Sequence, residues 1–263
     1  MIETITSRQN PLIVRLSKLS DKKARDAEGL FRLDGVKLFG EAQKSGLRIE
    51  YVFATREMLE RQSGIDCPGA RIFEVTDEVL SKLTDEKAPQ GIVAAARRFS
   101  TLPLPERLPE RLPDSFRALL LSSIRDPGNL GTIVRTAYAF GIDRLILSPD
   151  CADIYSPKTI RAAMGTLFRQ PITIVDEKSA LETLKRAGCT VFAAALRTGA
   201  KKLGSFELPD RVCFAVGNEG HGLTDEFIDS CKNTVIIPMT EDCESLNAAG
   251  AAGILAWEMR RTR

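Results

Sequence analysis

Short apolar runs alternate with amphipathic stretches along most of this chain. In the second half the order is regular: RALLLSSI (117–124), a helix pattern over 129–141, RLILS (144–148), SPKTIRAAMG (156–165), PITIV (171–175), a helix over 178–187, TVFAAA (190–195), VCFAVG (212–217), a helix near 223–231, TVIIP (234–238) and a last helix from Ser245 onward. Strands that are apolar throughout, rather than at every second position, predict a mostly parallel sheet covered on both faces. The first half carries strand-like runs at GLFRL (29–33), IEYVFA (49–54), RIFEV (71–75) and GIVAAARR (91–98), with helical stretches between them. One of these, GVKLFGEAQKSG (35–46), puts Val36, Phe39 and Gln43 near one face with Leu38 and Ala42 beside them, and Gly46 supplies the stop. A small α/β/α domain is predicted there.

Between the halves, STLPLPERLPERLPD (100–114) holds Pro103, Pro105, Pro109 and Pro113. Proline at that density neither continues a helix nor donates to a ladder, so the segment reads as an extended linker. A chain of 263 residues is long for one core and comfortable for two. The predicted division is a domain over 1–100, a linker over 101–114 and a domain over 115–263.

Composition narrows the class. Thirty-seven Lys and Arg against thirty-five Asp and Glu leave a charge of +2, so any polyanion site must be a local patch. Such a patch is present near the N-terminus, where Arg8, Arg15, Lys18, Lys22, Lys23 and Arg25 face only Glu3 and Asp21. It reads either as a solvated helix face or as a phosphate-contacting surface whose affinity depends on salt. Six widely spaced cysteines with a single histidine and no C-x-x-C pair argue against a metal centre and for scattered reduced thiols. No apolar run approaches the roughly 18 residues of a membrane span, and the N-terminus lacks a signal-peptide core. The expectation is a cytoplasmic protein with no membrane partner.

Three blocks carry the candidate chemistry. In NLGTIVRTAYAFG (129–141), Asp126, Pro127 and Gly128 form a turn, Asn129 is a strong N-cap type, and Leu130, Ile133, Val134, Ala137 and Gly141 make a packed stripe. Arg135 lies off that stripe. In FAVGNEGHGL (214–223), Gly217, Asn218, Glu219, Gly220 and Gly222 follow a strand directly, yet neither a dinucleotide nor a triphosphate fingerprint is met. His221 has no nucleophile or ligand partner at a recognisable spacing and reads as incidental. In IIPMTEDCESLNAAGAAGILAWEMRR (236–261), Ser245, Leu246 and Asn247 open a helix with Leu246, Gly250, Gly253 and Trp257 on one face. Two helical glycines cost about 1 kcal/mol each, so close approach of another backbone is expected, within the chain or across a subunit contact.

These three blocks, in this order, resemble the motifs of the SpoU/TrmH branch of the SPOUT RNA ribose 2′-O-methyltransferases, and the likeness runs over 117–263. The resemblance implies a parallel α/β domain closed by a trefoil knot, S-adenosylmethionine as cofactor, and a homodimer formed through the C-terminal domain. It points to Gly217, Ile237 and Leu246 as cofactor-binding, with Ala195 and Leu196 as a further lining, and to Asn129, Arg135, Glu219, Ser245 and Asn247 as catalytic. The first half, from ITSRQNPLIVRLSKL to QGIVAAARRF, is similar to the ribosomal-protein-like RNA-binding domain that precedes the catalytic domain in many relatives. This chain departs from the pattern at AAGAAG after Asn247 and at Ala163, where a serine is frequent.

A ribose hydroxyl is a poor nucleophile and a methyl sulfonium a good electrophile, so alignment and help with the departing proton are what a protein must supply. A guanidinium stays protonated, which makes Arg135 a phosphate clamp and alkoxide stabiliser rather than a base. The resemblance thus implies methyl transfer to structured RNA, with the extra N-terminal domain tilting the choice to ribosomal RNA. Transfer RNA methylation and a noncatalytic RNA-binding protein of the same fold are the alternatives, and an oxidoreductase founders on the absent glycine fingerprint.

Overall fold

The computed structural model describes residues 2–61, 65–101, 114–218, 220–240, 242–243 and 245–262. Residues 102–113, nearly all of the expected proline-rich linker, lie outside the described residues, as does Glu219.

The first stretch contains β1 (Glu3–Ile5), α1 (Pro11–Ser17), α2 (Lys22–Glu28), β2 (Leu30–Asp34), α3 (Gly35–Lys44), β3 (Ile49–Ala54), α4 (Arg56–Arg61), β4 (Arg71–Val75), α5 (Asp77–Leu83) and β5 (Ile92–Arg97). The second contains β6 (Phe116–Leu121), α6 (Pro127–Ala139), β7 (Arg144–Leu147), α7 (Pro157–Ala163), β8 (Ile172–Ile174), α8 (Glu177–Arg186), β9 (Thr190–Ala194), β10 (Lys201–Lys202), β11 (Arg211–Val216), α9 (Asp225–Cys231), β12 (Thr234–Ile236) and α10 (Ala248–Arg261). The short edge strands β1 and β10 have no counterpart in the sequence reading. Among the described residues no helix is long and apolar enough to cross a membrane.

The chain divides into two compact units, the first formed by Met1–Ser100 with Asp153–Arg169 and the second by Thr101–Ala152 with Gln170–Arg263. In the first, five strands run in the order β1-β4-β3-β5-β2, with β1, β4 and β3 mutually parallel and β5 antiparallel to both β3 and β2. One face is closed by Ile13, Leu16, Leu19, Val79, Leu80 and Leu83 against Phe53, Phe73 and Val93. α3 packs on β2 and β5, and the face it buries is Gly35, Leu38, Phe39 and Ala42. Gln43 is exposed instead of sharing that face, because at 100° per residue it falls beyond the edge of the arc that Gly35, Leu38, Phe39 and Ala42 bury.

The segment Asp153–Arg169, which the sequence groups with the second half, is built into this first unit. Arg25 is buried and sends Nη2 to Asp153 Oδ2 at 2.7 Å and Nη1 to the carbonyls of Leu19 and Ser20, so it belongs to the packing and leaves the basic patch. Phe31 and Tyr155 pack ring against ring with centroids 5.3 Å apart. Arg169 Nη2 reaches Glu41 Oε2 at 2.6 Å and, with Lys37, holds that carboxyl down at about 2. Gly165, at φ +87, lets the chain pass where a Cβ would stand 2.5 Å from Glu41 Cβ.

The second unit is a seven-stranded sheet in the order β10-β12-β9-β11-β6-β7-β8, every pair parallel. All six residues of β6 are buried, as a sheet covered on both faces requires. α6 buries Leu130, Gly131, Ile133, Val134 and Ala137 and packs on α10. The α6 N-cap is Asp126, whose side chain accepts from Asn129 N, and Pro127 opens the first turn. Asn129 therefore sits inside the first turn and does not cap. Asn247, by contrast, is the N-cap of α10, its side chain accepting from Ala249 N. Cys189, Cys213 and Cys231 are buried, and desolvation pushes the Cys189 thiol up to about 12 and that of Cys231 to about 11.

Candidate functional site

In a parallel sheet the crevice beyond the carboxyl ends of the strands is where a ligand is held. Here a cleft of about 480 Å³ opens at the ends of β9, β11 and β12 and is closed on one side by the start of α10. Ala195, Leu196, Gly217, Ile237 and Leu246, the five cofactor candidates, all line it, and so does Ser245.

The loop after β11 owes its shape to its glycines and to Asn218. Asn218 N donates to Gly222 O at 3.2 Å and Gly222 N donates back to Asn218 O at 2.8 Å, which folds the loop onto itself. The Asn218 Nδ2 donates to Ser123 O at 2.8 Å, tying this loop to the one after β6, and its Oδ1 accepts from Gly220 N at 2.8 Å. A Cβ on Gly217 would lie 2.2 Å from Gly222 C and 2.3 Å from Leu223 N. Glycine is thus required at 217 first by the loop's own backbone. Gly222 sits at φ +68, a conformation other residues adopt at a cost.

Two of the catalytic candidates meet. Asn247 Nδ2 donates to Asn129 Oδ1 at 3.2 Å, joining the starts of α10 and α6 across 118 positions of sequence. Because Asn247 Oδ1 already accepts from Ala249 N at 2.9 Å, the amide orientation is set and Nδ2 is the group left to donate. Arg135 lies six residues further along α6, about 9 Å along its axis, with its side chain exposed and no carboxylate within 4 Å among the described residues. Neither Asn129, Arg135 nor Asn247 lines the cleft.

His221, to which its sequence neighbours give no role, is on the cleft wall together with Met239, Arg197 and Asp225. Arg197 and Asp225 form an ion pair at that wall. Nothing in the spacing of Arg197 and Asp225 signals the pair, since it forms between the loop after β9 and the first turn of α9. On α10 the buried face is Ala248, Ala249, Ala252, Leu255, Ala256 and Met259. The face of Leu246, Gly250, Gly253 and Trp257 points outward: a Cβ at Gly250 would meet nothing within 4 Å, and one at Gly253 only Thr136 Cγ2 at 3.6 Å. Among the described residues no backbone of this chain approaches these glycines. In the first unit, Arg8, Arg15, Lys18, Lys22 and Lys23 lie at the surface, although Arg15 leans on Tyr51, with Nη2 3.2 Å from its hydroxyl.

A wholly parallel sheet with a ligand-sized cleft at its strand ends, built from glycine loops and the start of the last helix, defines an α/β protein that binds a small molecule in its second unit. Comparison with known proteins narrows this. The chain belongs to the SpoU rRNA Methylase family, whose model matches residues 117–257, and residues 10–94 match the MRM3-like substrate binding domain. It is 32% identical to the 23S rRNA (guanosine(2553)-2′-O)-methyltransferase RlmP of Bacillus subtilis over 98% of this chain and 100% of that protein. It is 29% identical to the 23S rRNA (guanosine-2′-O-)-methyltransferase RlmB of Neisseria meningitidis over 87% of this chain and 88% of that one. The AdoMet-bound rRNA methyltransferase structure from Sinorhizobium meliloti superposes with a TM-score of 0.87 at 31% identity, covering 99% of this chain and 98% of that one.

Proposed function

We propose that this protein transfers a methyl group from S-adenosylmethionine to a ribose 2′-hydroxyl of ribosomal RNA. The observation that carries the reading is the convergence of Ala195, Leu196, Gly217, Ile237, Ser245 and Leu246, from three strand ends and the α10 start, on one cleft. Its mixed lining suits an adenosyl group with a polar tail. When bound, the cofactor supplies a methyl group activated by a sulfonium.

The chain's own residues do the rest. The loops after β9, β11 and β12 hold the cofactor largely by backbone groups. Asn129 and Asn247, already hydrogen-bonded to each other, position the ribose beside the cleft, and Ser245 lies on its wall. Arg135 stabilises the alkoxide that develops as the O–C bond forms, the S–C bond breaks and the hydroxyl proton leaves to water. Glu219, outside the described residues, orients these groups. Residues 1–100 with 153–169 receive the RNA, with Arg8, Arg15, Lys18, Lys22 and Lys23 as phosphate contacts, 101–114 is the linker, and 115–152 with 170–263 carry the transfer.

The same reading includes the trefoil knot, supported by β12 lying between β9 and β10 while α10 returns onto α6. It also includes a homodimer through the C-terminal domain, supported by exposed Tyr138, Ile254 and Trp257 on α6 and α10.

Ribosomal RNA from cells lacking the protein, incubated with it and S-adenosylmethionine, gains one ribose methylation that mass spectrometry of nuclease fragments locates. Methylation of transfer RNA alone would move the substrate to the other RNA class. RNA binding without any methylation would leave a noncatalytic member of the fold.

A further inference from the structure

Of the described residues other than glycine, three have a left-handed backbone: Ser123 at φ +54, Met164 at φ +52 and Lys232 at φ +64. Met164 and Lys232 end α7 and α9, where such a conformation is an ordinary way for a helix to stop. Ser123 ends no helix. It follows β6 in the second unit, and there a serine carries a conformation that costs an L-residue free energy unless its surroundings hold it.

The hold is a ring of hydrogen bonds closed by Asp150, from the loop after β7. Asp150 Oδ2 accepts from Ser123 Oγ, and Oδ1 accepts from Ser148 Oγ at 2.6 Å. Ser123 N donates to Ser148 Oγ at 2.8 Å. Because the one hydroxyl proton of Ser148 goes to Asp150, its lone pair is left to receive Ser123 N. The carboxylate thus fixes Ser123 twice, once at its hydroxyl and once at its backbone. The two hydroxyls, that of Ser123 first, hold the Asp150 carboxyl below its usual range. Arg125 Nη2, 3.6 Å from Oδ2, adds only a loose, exposed ion pair.

Ser123 is in turn the point from which the cleft loop hangs. Its carbonyl oxygen accepts from Asn218 Nδ2 at 2.8 Å, and Asn218 lines the cleft. Asn218 then gathers the glycines, through its Oδ1 to Gly220 N and through its backbone to Gly222. A flip of Ser123 out of the left-handed region would turn that carbonyl away from Asn218. Asp150 itself does not line the cleft.

On the reading that S-adenosylmethionine occupies the cleft, we propose that Asp150 is a positioning residue for cofactor binding, holding Ser123 left-handed so that its carbonyl fixes Asn218 and the glycine loop. An L-residue released from such a hold leaves the left-handed well in about nine molecules of ten, and affinity for the cofactor falls by the same factor, about tenfold. Turnover at saturating cofactor falls far less, because the bound cofactor draws the loop back into place.

The test titrates the full chain with S-adenosylmethionine by calorimetry and follows hydrogen exchange of the Gly220 and Gly222 amides in the cofactor-free protein. Asp150→Ala, at an exposed position, should weaken binding about tenfold and speed exchange at both amides, with an unchanged circular dichroism spectrum. Ser123→Ala removes the other end of the same bond and should do likewise, and combining the two should add little. The deciding variant is Ser123→Gly in the Asp150→Ala background. It should restore most of the affinity and slow both amides again, because glycine takes a positive φ unaided. A general loosening of the loop after β7 would not be cured at position 123. Should Asp150→Ala fail to fold, Ser123→Ala against Ser123→Gly makes the same comparison. Wild-type affinity in Asp150→Ala, or no recovery with Ser123→Gly, overturns the proposal. If the wild type binds no S-adenosylmethionine, the cofactor reading falls by itself, and the two exchange rates still decide whether Asp150 sets this loop.

Discussion

Arg135 and Gly217 show how a single position divides between structure and chemistry. Arg135 contributes no ion pair within the described residues and stands off the buried stripe of α6, so removing it should leave the fold intact. A fixed cation that acts on charge appearing only in the transition state lowers turnover when removed and leaves ground-state affinity alone. Arg135→Ala is expected to bind S-adenosylmethionine normally by calorimetry and to lose on the order of 10²–10³ in kcat, while Arg135→Lys retains part of the rate. A new ionisation near neutral pH in the Arg135→Lys rate profile would instead assign proton abstraction to this position. Gly217 behaves oppositely. Its missing Cβ makes room for the Gly222–Leu223 backbone, so Gly217→Ala should cost about 1–3 kcal/mol in thermal or chemical unfolding through overpacking before any effect on the cofactor. Ala251, half-buried on the cleft wall, is the cleaner probe. Ala251→Phe should fill part of the cleft and weaken S-adenosylmethionine by at least about tenfold, or 1.4 kcal/mol, with an unchanged circular dichroism spectrum. Unchanged affinity in the folded variant would move the cofactor elsewhere.

The last helix carries two faces with different surroundings. Small residues Ala248, Ala249, Ala252 and Ala256 bury one against the sheet and α6, which is why the AAGAAG run tolerates no bulk on that side. The other leaves Trp257 52% exposed and Ile254 39% exposed, with the Trp257 ring 5.5 Å from that of Phe140. Trp257 is the only tryptophan in the chain. If this face closes a homodimer, Trp257→Glu should yield a monomer by light scattering. The native protein should also show a concentration-dependent red shift of tryptophan emission on dilution. A native monomer at high concentration would refute the dimer.

Across the protein, a near-neutral total charge hides an uneven distribution. Lys18, Lys22 and Lys23 lie at the surface where α1 passes into α2, while Arg25 beside them is locked on Asp153. Deleting residues 1–100 would strip the partners of Asp153–Arg169 as well as the lysines, so charge reversal is the better experiment. Lys18→Glu, Lys22→Glu and Lys23→Glu combined should weaken rRNA binding and lower the slope of log affinity against log salt by roughly 0.7–0.9 for each phosphate that is no longer neutralised. The same slope in the variant would make these lysines a solvated face.

Local pattern decided more of this protein than its modest charge suggests. The continuous apolar runs from RALLL to TVII are sufficient to specify a covered parallel sheet, because a strand buried on both faces has no polar side to alternate. The stripe on α6 and the outward position of Arg135 follow from helical period alone. Which strands neighbour one another, and hence that Ala195, Gly217, Ile237 and Leu246 share one cleft, depends on crossover connections and was legible only through resemblance to a family. Three features needed the folded chain: the cap at Asp126 rather than Asn129, the outward turn of Gly250 and Trp257, and the capture of Asp153–Arg169 by the first unit. Each is settled by competition among nearby groups for the same space or hydrogen bond, Asp126 reaching Asn129 N, the alanine and leucine face of α10 taking the inward side, and Asp153 meeting Arg25, and periodicity along a chain does not encode who wins.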